Sequence, residues 1–235
     1  FMGLEAEVVE SGADGTAIVR VAGKDGGVML ADEVIQTWDY KLTIINEYIL
    51  RPDTDYLEIR TTVRDRWNAK RNVIIADLAL WGDHTRVFSP RAGFETGDFD
   101  LLAGLRWLGG VNREWEPVSY ALATNSPENK FYAPYVDDEF LPMIDRVLPI
   151  EPLGEATIER LLIVGEGDTS MFDKTLFEHD GNDQFGTLAG EVPLPDAGDF
   201  EQLEVVITDD RPDGENYVGV VWPDANGEFE IQLEP

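Results

Sequence analysis

Residues 37–64 read TWDYKLTIINEYILRPDTDYLEIRTTVR, and this stretch decides the fold. In its second arm Leu57, Ile59, Thr61 and Val63 alternate with Glu58, Arg60, Thr62 and Arg64. A period of two sustained over that length marks a β-strand with one buried face and one wet face. The first arm, residues 40–50, carries Leu42, Ile44, Tyr48 and Leu50 on one side and Ile45 and Ile49 on the other. Apolar residues on both sides predict a strand covered on both. Arg51-Pro52-Asp53-Thr54-Asp55 between the arms is turn chemistry, because Pro presets φ and Asp bonds its own backbone. The whole is a long β-hairpin.

The pattern continues on either side. Before the hairpin, short apolar segments at 4–10, 16–22 and 27–30 are divided by Gly12-Ala13-Asp14-Gly15 and Gly23-Lys24-Asp25-Gly26, which read as turns. After it, strands are expected at 72–81, 101–108, 117–124, 130–136, 144–150 and 156–164, with Gly109-Gly110 closing the second of these. About ten strands therefore precede residue 165, with no long amphipathic helix among them, as in a large antiparallel sandwich. The pattern breaks at Gly165-Glu166-Gly167. Asp168 or Thr169 then caps one short helix whose apolar stripe is Met171, Phe172, Thr175 and Leu176. Residues 178–183 (EHDGND) read as a linker. Four more short strands follow, at 187–194, 202–208, 217–222 and 228–233, with Asn226-Gly227 favouring a tight hairpin.

Composition bounds the function. The chain of 235 residues is 43% hydrophobic, enough for a substantial core. It has 47 acidic against 18 basic residues, a net charge of −29. Such a surface repels nucleic-acid phosphates and anionic membranes, so neither is expected as a partner. No run of about 18 apolar residues is present to insert in a membrane. The absence of cysteine excludes disulfides, thiolate catalysis and Cys-ligated zinc. The chain opens on Phe1-Met2-Gly3, already close to strand-like sequence, as an excised piece of a longer protein would.

Two local clusters carry candidate chemistry. One is Trp81 with Asp83, His84 and Arg86 in a loop leaving a strand; the other is Arg106-Trp107 in a neighbouring strand. Sugars stack their C–H faces on flat aromatic rings, and carboxylates or Arg beside such a ring complete a ligand site. The ordinary alternative is that the six tryptophans fill the gap between two sheets and that Arg106 pairs with an acid. Asp180-Gly181-Asn182-Asp183 and Asp137-Asp138-Glu139 offer oxygens, but neither has the spacing of a calcium loop, so no metal site is expected. There is no G-x-G-x-x-G phosphate cradle and no G-x-S-x-G elbow, and no cofactor is expected.

Several stretches resemble a known family. They are DYKLTIINEYILRPDTDYLEIRTTVR, LALWGDHTRVFSPRAGF, LRWLGG with VSYALAT, and LLIVGEGDTSMFDKTLF. Together they resemble the N-terminal region of secreted bacterial proteins in which a galactose-mutarotase-like β-supersandwich precedes a PHP-type metallohydrolase of the CehA/McbA-like group. The stretch from FGTLAGEV to NGEFEIQLEP resembles a carboxypeptidase-regulatory-like, prealbumin-type sandwich. The resemblance implies an all-β fold. It would consist of a large antiparallel supersandwich over 1–183, a small prealbumin/Ig-like sandwich over 184–235 and one short helix near the junction. It also implies a secreted or cell-surface location and a covalently linked downstream catalytic domain. True mutarotases use a His acid with a Glu base. Here His84 does not sit in the family's Asn-His-x-Tyr-Phe-like setting and His179 lies in the linker, so no catalytic residue is assigned. The expectation is a non-catalytic accessory region that positions or docks the metallohydrolase and binds carbohydrate. The alternatives are a mutarotase or epimerase acting on a sugar, and a stand-alone carbohydrate-binding module.

Overall fold

The structure is a computed structural model that describes residues 2–13, 15–31, 34–80, 85–90, 92–94, 102–113, 117–133, 141–182, 184–193, 203–211 and 214–233. Its strands are Met2–Ser11 (β1), Ala17–Ala31 (β2), Val34–Leu50 (β3), Tyr56–Asp65 (β4), Arg71–Ala79 (β5), Arg86–Phe88 (β6), Leu102–Leu105 (β7) and Trp107–Asn112 (β8). They continue with Val118–Thr124 (β9), Phe131–Ala133 (β10), Leu141–Ile150 (β11) and Glu155–Gly165 (β12). After the helix Ser170–His179 (α1) come Gly186–Glu191 (β13), Val205–Arg211 (β14), Gly214–Val221 (β15) and Glu228–Leu233 (β16). The protein is all-β and sandwich-like, with one helix among the described residues.

The chain divides into two compact units, and both are discontinuous. The first is Phe1–Ile75 with Arg146–Leu161; the second is Ala76–Asp145 with Leu162–Pro235. Residues 184–235 lie in the second unit together with residues 76–145 and 162–183.

In the first unit the strand order is β1-β2-β3-β4, followed by the N-terminal part of β12. The hairpin read from the sequence is β3 and β4, paired from Leu42↔Asp65 to Leu50↔Leu57. One face buries Leu42, Val63, Ile75, Leu148, Ile150 and Ile158 as a single core cluster. The other face is wet, and its charges stand in a row. Pairing aligns Glu7, Arg20, Glu47 and Arg60 across β1 to β4. Arg20 meets Glu7 at 2.9 Å and Glu47 at 2.6 Å, while Arg60 meets Glu47 at 3.6 Å and Glu159 of β12 at 2.7 Å. Alternating signs across neighbouring strands stabilise a sheet face where like charges would repel.

Two expectations for this unit change. The first arm is covered on both sides only in part: Leu42 on one face and Ile49 on the other are buried, but Leu50 is 50% exposed and residues 43–48 are half-buried. Its outer face is occupied by the charge row, which needs water. Gly23-Lys24-Asp25-Gly26 is also not a turn. β2 runs through it, with a register shift between Asp25 and Gly26. Asp25 pairs with Leu42 and Gly26 with Asp39, so Tyr40 and Lys41 of β3 have no counterpart on β2. The glycines allow a bulge there, which continues the strand with added twist.

In the second unit the C-terminal part of β12 is followed by β9-β8-β6. The expected strand at 101–108 is two strands, β7 pairing with β10 and β8 pairing with β6 and β9. The chain changes sheet at Arg106, whose carbonyl accepts the Thr124 N–H at 2.9 Å. Gly109-Gly110 does not close a strand but lies within β8, opposite Phe88 and Val87 on one side and Ala121 and Tyr120 on the other. The last four strands form two antiparallel ladders, β13 with β16 and β14 with β15. They share a core of Ile207, Val221 and Ile231.

Helix α1 lies where the sequence places it. Thr169 is its N-cap residue, but its hydroxyl makes no capping bond. The hydroxyl instead accepts the Val220 N–H at 2.8 Å and donates to the Val220 carbonyl at 3.2 Å, pinning the helix start to β15. Gly219 makes this approach possible, since a Cβ there would lie 2.8 Å from the Thr169 hydroxyl. Asp168 Oδ1 takes the capping duty, accepting the Ser170 N–H at 3.0 Å and its hydroxyl at 2.6 Å. Phe172, Thr175, Leu176 and Phe177 form the buried stripe.

Candidate functional site

The candidate site is a half-open cleft of about 560 Å³ within the second unit. It is built around the point where the chain changes sheet. Trp107, the first residue of β8, is 2% exposed and lies between two rings. Phe88 stacks on it at 6.0 Å, and Phe172 of α1 meets it edge-on at 5.0 Å. Its indole N–H donates to Asp173 Oδ1 at 2.8 Å. The preceding residue, Arg106, points its guanidinium to Asp180 Oδ2 at 2.6 Å, just beyond the end of the same helix. Two consecutive residues thus fasten α1 near both ends, and both line the cleft.

Opposite them, β14 contributes Thr208 and Asp209 and β15 contributes Tyr217, while Lys130 stands before β10. Apolar wall is supplied by residues such as Leu105, Phe177 and Ile207. The Tyr217 ring approaches the backbone at Gly93 so closely that a Cβ would lie 2.7 Å from it, and Gly93 has φ +63°. Backbone bonds of 3.0 and 2.9 Å between Ser89 and Gly93 hold that turn. The ring is therefore seated on a fixed surface. The Arg106 Nε is buried with no hydrogen-bond partner among the described residues. A buried donor left unpaired is costly, so this end of the side chain is primed to donate to an oxygen.

The expected site residues are distributed unevenly. Arg106 and Trp107 line the cleft, each also serving the alternative role weighed for it: Arg106 pairs with an acid and Trp107 fills the core. Arg86 is exposed, bound to Glu204 at 2.6 Å, with its guanidinium 3.8 Å over the Phe94 ring. Trp81, Asp83 and His84 lie outside the described residues, as do Asp137, Asp138 and Glu139. His179 is directed to Asp180, with its Nδ1 at 3.5 Å from Oδ1. Among the described residues no three His, Asp or Glu side chains converge as a metal site would require. Sequence reasoning missed Lys130, Asp173, Thr208, Asp209 and Tyr217. Asp209 lies within β14, paired with Asn216.

The cleft joins carboxylates, two cationic side chains, a hydroxyl and a phenol ring against an apolar wall. That mixture suits a small ligand presenting many hydroxyls around a compact carbon frame. No histidine lines it among the described residues.

No protein-family model matches the chain, and no curated protein matches it. Among solved structures it is similar to the Slr1438 protein of Synechocystis sp. PCC 6803, at 7% identity and TM-score 0.42, over 68% of this chain and 66% of that one. It is similar to a candidate aldose 1-epimerase of Escherichia coli K12, at 10% identity and TM-score 0.42, over 69% of each chain. It is also similar to a candidate aldose 1-epimerase of Klebsiella pneumoniae subsp. pneumoniae MGH 78578, at 11% identity and TM-score 0.41, over 76% of this chain and 58% of that one. These likenesses are too distant to carry residue roles, and the chain spans between 58% and 69% of the length of those proteins.

Proposed function

We propose that this chain is a carbohydrate-binding accessory region. In the full protein, which we place outside the cytoplasm, it would position a covalently linked catalytic domain of the metallohydrolase type. The observation that supports the reading is the cleft beside Arg106 and Trp107. Arg106 is held by Asp180 and the Trp107 indole by Asp173, and the Tyr217 ring is seated on Gly93. Such preorganisation favours binding, because little side-chain freedom remains to be lost when a ligand docks. Isothermal titration with a panel of monosaccharides tests it. At least one sugar binds the wild type, and Tyr217→Ala weakens that binding about tenfold, the loss of one ring face. Silence across the panel sinks the reading. An anomerisation rate above that of buffer would replace it with an epimerase.

A further inference from the structure

The outermost strand of the first unit is open on both faces and along one edge. β1 stands at the end of the strand order and pairs with β2, so its other edge has no strand beside it among the described residues. Every residue from Leu4 to Ser11 is exposed, Leu4, Val8 and Val9 included. The row of backbone N–H and C=O groups along such an edge is a template for one more strand.

Register sorts the side chains of β1 by face. Glu7 stands opposite Arg20 and Glu5 opposite Ala22, so both lie on the wet face with the charge row. A register shift after Val8 brings Glu10 opposite Ile18, two residues from Arg20, and so onto that same face. Ala6 and Val8 stand opposite Val21 and Val19 on the other face, where Val8 is 67% and Val19 39% exposed. β1 thus presents three carboxylates on one face and aliphatic side chains on the other. Its one ion pair among the described residues is Glu7 with Arg20, which Glu47 shares. Arg51, which lies near enough to feel Glu10, is taken by Glu58 at 2.6 Å.

The same unit already completes one charged edge with a strand of opposite charge. On β4, Arg60 binds Glu159 of β12 at 2.7 Å and Arg64 binds Glu155 at 3.0 Å, and the Thr62 and Thr157 hydroxyls meet at 2.9 Å. A strand with cations at alternate positions has taken a neighbour with anions at alternate positions. β1 offers that arrangement with the sign reversed. A second copy of β1 would bring its own carboxylates beside Glu5, Glu7 and Glu10, and like charges across a ladder repel. We infer that β1 is a docking edge for an extended segment of a partner protein, one that carries Lys or Arg on alternate residues and aliphatic side chains between them. The segment joins the sheet beside β1, sets its cations against the three carboxylates and covers Val8. This inference does not depend on the cleft.

The test is fluorescence anisotropy at low salt with a labelled peptide that alternates lysine with valine and matches β1 in length, ten residues. This peptide binds the chain. A peptide alternating glutamate with valine does not, nor does the lysine–valine peptide methylated on every backbone nitrogen, which keeps its charge and loses its donors. Gathering the lysines and valines into separate blocks weakens binding about tenfold or more. The double variant Glu5→Lys, Glu10→Lys weakens the lysine–valine peptide about tenfold and admits the glutamate–valine one. Both positions are exposed, so the variant stays folded, and its denaturation midpoint is measured alongside. Hydrogen exchange locates the contact, with amides of Met2–Ser11 slowed by the peptide and those of β13 unchanged. The proposal is overturned if the lysine–valine peptide does not bind, or if the blocked or methylated form binds equally, because charge alone then attracts it. Protection that falls outside β1 overturns it too. So does a dimer in sedimentation that the peptide dissociates, because a second copy of the chain then occupies the edge.

Discussion

The two units handle polar side chains in opposite ways. The sheet of the first unit sets Glu7, Arg20, Glu47, Arg60 and Glu159 on a wet face, where each ion meets a neighbour and also water. The second unit puts its polar contacts beneath the helix. Asp173 receives a buried indole, Thr169 is 3% exposed and locks onto Val220, and Asp180 receives Arg106. In the first arrangement any single contact is replaceable by solvent. In the second, removing a partner leaves a group stranded where water is scarce. The lesson is that a similar count of hydrogen bonds carries different weight in the two places. The first set keeps a sheet soluble, and the second holds a cleft in shape.

Three experiments sharpen or break that contrast. The largest effect is expected from Phe172→Ala. This ring is fully buried against Trp107, and its truncation should cost about 3–5 kcal/mol in urea unfolding while also loosening the cleft. A cost below about 1 kcal/mol would mean that helix and cleft are not mechanically joined.

The second experiment concerns Asp65, where the first unit departs from its own rule by burying an ion pair. Asp65→Asn is expected to lose about 2–3 kcal/mol at neutral pH, because Arg71 keeps only a neutral acceptor. Burial pushes the Asp65 carboxyl up, but the hydrogen bonds from Arg71 and the Trp67 N–H outweigh it and hold the group below the usual carboxylate range. Asp39 is brought down to about 2, first by the Lys41 ammonium and then by the Lys41 N–H. A carboxyl lowered on folding contributes stability above its unfolded value, near 3.9, and that contribution fades as pH falls through the folded value. Wild type and Asp65→Asn should therefore converge in stability as pH falls from about 4 through the lowered folded value of Asp65. Parallel curves over that window would show that the pair is not the source.

The smallest effect is expected from Arg20→Met, at the centre of the charge row. Exposed pairs are worth about 0–1 kcal/mol, so the unfolding midpoint should barely move, and less still in molar salt. A midpoint shift as large as that of Asp65→Asn would show that the row acts as one network.

What the sequence disclosed follows the same division. The alternation of 57–63 against 58–64 was legible because one face meets water and the other does not, and β4 has that register. The helix stripe at Phe172, Thr175 and Leu176 was legible for a related reason, since packing imposes a period of its own. The cleft was only half legible. Arg106 and Trp107 drew notice as a basic residue beside an indole, whereas Tyr217, Asp209 and Lys130 come from segments that nothing in local spacing relates to 106–107. Only tertiary pairing brings them together. The break at Arg106 was missed because the residues on both sides are equally apolar, so a change of sheet leaves no mark on the pattern. The bulge at Asp25 was hidden by its own chemistry, because glycines that permit a bulge also permit a turn.

The discontinuity of the first unit matters most while the chain is being made. Arg60 of β4 reaches Glu159 of β12, 99 residues later. At about 5–20 residues per second, synthesis leaves the open side of β4 without its neighbour for roughly 5–20 s. During that interval Arg60, Thr62 and Arg64 stand along an unpaired strand edge, and charged side chains are the usual guard against adhesion between nascent sheets. The arginines that later bind Glu159 and Glu155 thus have an earlier task, keeping a half-made protein from joining its neighbours on the polysome.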